Sequence, residues 1–110
     1  MRVALRLFAK WGVEDDDARA ILGAIDEATY RRWKAGPGRI PRSIEPHLSA
    51  LIGIHWGLRL MFSDPQRGYA WMSRPNAIFN DATPLQAIAG GDIKALIRLR
   101  DYLTAQTQPW

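Results

Sequence analysis

The chain has 110 residues, with 15 Lys and Arg against 11 Asp and Glu, two His and no Cys. That size holds one compact domain or two very small units sharing a core, and the missing cysteine excludes disulfides, a thiol nucleophile and thiolate metal ligands. No apolar run reaches the roughly 18 residues that span a bilayer, and the start, Met1 to Arg6, has no signal-peptide core, so a soluble cytoplasmic protein is expected.

In chain order, Val3, Leu7 and Trp11 recur every fourth residue with Phe8 filling the same stripe, which predicts a first helix. Asp15, Asp16 and Asp17 open a short second helix ending near Leu22, carrying the charge that a helix N-terminus favours. Asp26 can cap a third helix from Glu27 to about Ala35, stopped by Gly36-Pro37-Gly38. The longest helix should start near Ser43 and run to about Phe62, with Leu51, Leu58 and Phe62 on its core side and Trp56 off the main stripe, as an interface anchor or an inter-unit contact. Asp64-Pro65 starts the next helix, ending near Met72, and Thr83-Pro84 repeats the device for a short helix, Leu85 to Ala89. After Gly90-Gly91, Asp92 caps a last helix carrying Ile93, Leu96, Ile97, Arg100 and Leu103. No stretch alternates over strand length, so the fold class is all-α. The break at Ser63-Asp64 divides a helix–turn–helix-like unit, 1–62, from a second small helical unit, 63–110, and the short apolar joint predicts that the two pack together.

Charge is distributed unevenly. Between Ala28 and Ile44 there are five bases and no acid, whereas Glu14 to Glu27 holds six of the eleven acids. Focused positive charge suits a phosphate-contacting surface; a merely solvated basic face would read the same way. The stretch from Asp17 to Gly36 supplies a layout for it: a short helix, a turn at Leu22-Gly23 holding Ile25, then a capped helix with Tyr30 and Trp33 on one face and Arg31, Arg32 and Lys34 on another. In a DNA-binding helix–turn–helix the second helix enters the major groove. Thr29 and Arg32 are then candidates for base or phosphate contact, and Arg31, Lys34, Arg39 and Arg42 for phosphate contact. The spacing departs from the compact motif: one extra residue lies between Gly23 and Trp33, and Arg19 stands where a small residue usually packs. Either the turn is longer or Gly23 is not its glycine.

Taken with Leu22-Gly23, Thr29 to Trp33, Leu60-Met61-Phe62, Thr83-Pro84-Leu85 and Gly90-Gly91, the aromatic-rich run Trp71-Met72-Ser73-Arg74-Pro75-Asn76 with Phe79 resembles the Xre/MbcA/ParS antitoxin family from about Ala18 to Leu103. The resemblance implies an antitoxin partnered with a RES-domain toxin that degrades NAD or uses it for ADP-ribosylation. It implies an N-terminal DNA-binding module or a relic of one, and a C-terminal unit that binds toxin and reaches toward its NAD cleft, in a hetero-oligomer that can include an antitoxin dimer. Toxin contact would fall to Trp71, Arg74, Pro75, Asn76, Phe79, Pro84 and Leu85, and to Gln106, Gln108 and Trp110 in a tail that ends on an aromatic residue suited to filling a pocket. The rival reading is a stand-alone helix–turn–helix regulator with no toxin.

Nothing in the chain suggests catalysis, a cofactor or a metal. His47 and His55 are eight residues apart on one helix with no carboxylate placed to help them, the acidic triplet lacks the rest of a calcium loop, and neither Gly-rich turn carries the lysine of a phosphate-binding loop.

Overall fold

Local hydrogen bonds start the helices where the capping residues stand. The Asp26 carboxylate accepts from the Thr29 amide at 2.7 Å, and the Asp64 carboxylate accepts from the Gln66 amide at 3.0 Å with Pro65 in the first helical position. Thr83 and Gln86 form a reciprocal capping box, with bonds of 3.0 and 2.8 Å. Each satisfies backbone N–H groups that a helix start leaves without an internal partner.

The computed structural model describes residues 1–36 and 38–107. In it the chain forms α1 (Arg2–Trp11), α2 (Asp15–Ile21), α3 (Glu27–Ala35), a 3₁₀ turn (Arg42–Ile44), α4 (Glu45–Met61), α5 (Pro65–Met72), a second 3₁₀ turn (Ala77–Phe79), α6 (Pro84–Ile88) and α7 (Ile93–Thr107). The expected helices are all present, and the described residues contain no strand, only one isolated antiparallel bridge between Asn76 and Ala82. Among the described residues no helix is long and apolar enough to cross a membrane. The second 3₁₀ turn was not expected. Asn76 caps it through its side chain, and Asn80 and Asp81 close it in the left-handed region, where asparagine and aspartate are tolerated better than most residues.

The core is continuous from α1 to α7, and α4 packed along α7 is its main axis. Leu51 and Leu58 lie inside as expected, together with Ala50 and Ile54 on α4, facing Leu96, Leu99 and Leu103 of α7. Three positions differ from the sequence reading. Val3 is half exposed, and Ala4 takes its place beside Leu7, Phe8 and Trp11, because positions 4, 7, 8 and 11 share a narrower stripe than 3, 7, 8 and 11. Phe62 is only half-buried, being the extended residue that ends α4. Leu99 is fully buried, as the residue three after Leu96 and four before Leu103 must be. Trp56, off the main stripe as expected, is 59% exposed, with its ring 5.3 Å from that of His55.

The α6–α7 turn is also clamped to the start of α4 and to α2. His47, on the first turn of α4, donates from Nε2 to the Gly91 carbonyl oxygen at 2.8 Å, and its ring lies over Gly23 in the α2–α3 turn. Gly91 has φ +75°, and a Cβ there would collide with the Ala20 carbonyl. Only glycine can both adopt that backbone angle without strain and let the α6–α7 turn approach α2 so closely.

Candidate functional site

Two faces could meet a partner. The first is built on α2 and α3. Gly23 and Ala24 both have positive φ, at 100° and 61°, so the turn is longer than the compact motif and Gly23 is its glycine. The small residue packed beneath it is Ala18, fully buried, while Arg19 lies on the rim with Nη2 on Asp16 at 3.1 Å. The internal hydrogen bonds from Thr29 hold the Asp26 carboxyl below its ordinary pKa. Tyr30 and Trp33 face the core at 5% exposure each, and burial raises the Tyr30 hydroxyl pKa.

The bases of α3 point outward, but most already have partners. Arg31 pairs with Glu27 at 2.8 Å, one turn earlier on the same helix. Lys34 reaches Asp15 on α2 at 2.8 Å and lies 5.9 Å from the centre of the Tyr30 ring. Arg32 donates to the Thr29 hydroxyl at 3.2 Å, a neutral acceptor. The Trp33 indole donates to the Arg39 carbonyl at 3.2 Å, and this brings Arg39 beside Arg32 along a groove of about 430 Å³ that Trp33 also lines. Arg42 is exposed in the first 3₁₀ turn. Arg32, Arg39 and Arg42 thus enter no ion pair among the described residues, whereas Arg31 and Lys34 spend their charge on neighbouring acids.

The second face is aromatic. Trp71 of α5 lies parallel to Tyr102 of α7, with rings 6.2 Å apart and 3° between their planes. Phe79 meets Tyr102 edge-on at 6.4 Å, and Phe62 meets Trp71 at 6.4 Å. These four rings, each half-buried, form one ladder across the ends of α4 and α5, the second 3₁₀ turn and α7. Arg74, Pro75 and Ile78 stand exposed beside it. Asn76 is held by its turn: its backbone N–H donates to the Ala82 carbonyl at 2.9 Å, and its own carbonyl accepts from Phe79 and Asp81. Pro84 is buried in the first turn of α6. Leu85 lies apart from the ladder, lining a groove of about 280 Å³ with Gly12, Val13 and Ile21. Gln106 is exposed near the end of α7, and Gln108 and Trp110 lie outside the described residues. Tyr102, the centre of the ladder, was missed because a tyrosine beside Leu103 reads as ordinary helix filler; its place three residues after Leu99 was the available signal.

No group of three or more potential metal ligands occurs among the described residues.

Both faces coincide with known families. Residues 1–45 match the model of the antitoxin Xre-like helix-turn-helix domain. Residues 57–107 match that of the antitoxin Xre/MbcA/ParS C-terminal toxin-binding domain. An uncharacterized protein of Sinorhizobium fredii, y4oB, is 32% identical over 101 residues, which cover 92% of this chain and 78% of that one. No solved structure matches.

Proposed function

Since this chain belongs to the Xre/MbcA/ParS antitoxin family, we propose that in the cytoplasm it neutralises a RES-domain, NAD-consuming toxin by occluding that enzyme's active site, doing no chemistry of its own. The observation that carries this reading is the aromatic ladder within the matched toxin-binding segment: Trp71, Tyr102 and Phe79 lock each other's orientation and leave part of every ring open. Rigid, half-buried aromatics anchor protein interfaces well because they have little side-chain freedom left to lose. Arg74, Pro75, Asn76 and Leu85 extend the contact, Pro84 fixes the helix start beneath it, and Gln106, Gln108 and Trp110 reach the catalytic cleft.

The same molecule represses its operon through Arg32, Arg39 and Arg42, with Thr29 supporting Arg32 and with Arg31 and Lys34 contributing once their acids let go. Phosphate contacts of this kind position a helix on DNA and weaken steeply with salt.

Co-expression with the product of the neighbouring gene is the test. Growth arrest by that product alone, relieved by this chain and lost again on deleting 106–110 without loss of the complex, is the expected result. Full rescue by the deleted chain would remove occlusion by the tail, and failure to co-purify would remove the toxin reading altogether.

A further inference from the structure

α1 lies ahead of the helix pair to which the sequence assigned DNA contact, and it carries three further bases. Arg2, Arg6 and Lys10 recur every fourth residue and are all exposed, on the side of α1 opposite Ala4, Leu7, Phe8 and Trp11, which the core buries. The helix contains no acid, and none of the three bases enters an ion pair among the described residues. Helix stability does not account for them. Like charges four residues apart repel each other, and Arg2 stands at the helix N-terminus, where the dipole disfavours a positive charge.

The fold sets this row against the α3 face. Arg2 lines a cavity of about 400 Å³ with Leu5, Trp33, Lys34 and Gly38, and Trp33 and Gly38 also line the groove that holds Arg32 and Arg39. The start of α1 therefore adjoins the end of α3. From Arg2 the row continues along about 12 Å of helix, with one base every ~6 Å.

We infer that this row grips the sugar–phosphate backbone of duplex DNA beside the segment that α3 enters; the contact rests on the repressor reading above and adds a third element to it. Evenly spaced single charges suit a polymer that carries one negative charge per about 3.4 Å of each strand, or roughly four phosphates over the length of the row. A basic amphipathic helix can otherwise lie on an anionic membrane, but the apolar side that would have to enter the lipid is already buried in the core of this fold. An acidic protein would need its carboxylates fixed at matching positions, whereas a phosphate backbone offers them at every register. Such contacts orient the protein and add affinity without reading sequence.

Fluorescence anisotropy between about 50 and 200 mM salt tests this, with three labelled probes of equal length: a duplex from upstream of the chain's own gene, an unrelated duplex and a single-stranded RNA. The variant carrying Arg2→Gln, Arg6→Gln and Lys10→Gln should bind both duplexes more weakly, on the order of tenfold or more at the low-salt end, with a log–log salt slope shallower by about 0.9 for each base removed. Its melting temperature should not fall, because the row adds only repulsion to the folded chain. A control with Arg59→Gln, Arg67→Gln and Arg98→Gln removes the same charge from other exposed positions and should keep the parent's slope. Equal weakening by the two triple variants would reduce the effect to net charge and overturn the inference. If the parent binds the upstream duplex and the α1 variant matches it in affinity and slope, the inference falls while the repressor reading stands. A parent that binds neither duplex would overturn both. Loss of RNA binding alone, with duplex binding intact, would overturn the DNA contact and assign the row to RNA.

Discussion

The two ends of the molecule solve the problem of an exposed recognition surface in opposite ways. The α2–α3 face keeps its charges quiet: Arg19, Arg31 and Lys34 each lean on an acid within the same unit. The C-terminal face keeps its aromatics still, stacking Trp71 on Tyr102 and Phe79 against it, and leaves them open to a partner. The difference teaches where binding strength can come from. Exposed ion pairs are each worth only about 0–1 kcal/mol, so the N-terminal face can release its bases cheaply but offers little grip until it does. A pre-oriented aromatic ladder needs no such release. His47 and Gly91 hold the two faces in one frame.

Breaking that frame should have the largest effect. Gly91→Ala forces a side chain into the left-handed region and into the Ala20 carbonyl, and a loss of about 3 kcal/mol or more is expected in urea denaturation. A variant as stable as the parent would mean that the α6–α7 turn does not bear on α2. Trp71→Ala should be intermediate: about 2 kcal/mol of stability from a half-buried ring, but a loss of toxin affinity on the order of a hundredfold in titration calorimetry. Equal small losses in both would make the ladder structural only.

On the other face, Asp15→Asn with Glu27→Gln frees Lys34 and Arg31. Operator affinity at low salt should rise roughly tenfold and its salt dependence steepen, with stability changed by no more than about 0.5 kcal/mol. Unchanged binding would show that these two bases face away from the DNA. The smallest effect concerns His55. Burial, and then the neighbouring Arg59, lower its pKa from the ordinary 6.5. The folded chain therefore resists a proton that the unfolded chain accepts, so stability is unaffected at high pH, starts to fall as the pH drops through about 6.5, and levels off below the folded value. His55→Gln should flatten that part of a melting-temperature profile.

The sequence already carried the helix starts. Asp26, Asp64-Pro65 and Thr83-Pro84 act through hydrogen bonds spanning two or three residues, so their outcome does not wait on the rest of the chain. The pairings were not legible. Lys34 meets Asp15 across nineteen residues and His47 meets Gly91 across forty-four, and spacing along one helix says nothing of either. The aromatic ladder belongs with these, since Tyr102 matters only because α7 lies where Trp71 can stack on it.

α4 shows the division most plainly. Its length and amphipathic rhythm follow from its own residues, because helical periodicity is a property of the local backbone. That Ala50 and Ile54 would be covered while Ile52 and Trp56 stayed in solvent was decided by α7, which can lie along only one side of that helix. Local hydrogen bonds reach a few residues and can be read in order; burial depends on which distant surface arrives, and that exists only once the chain has folded.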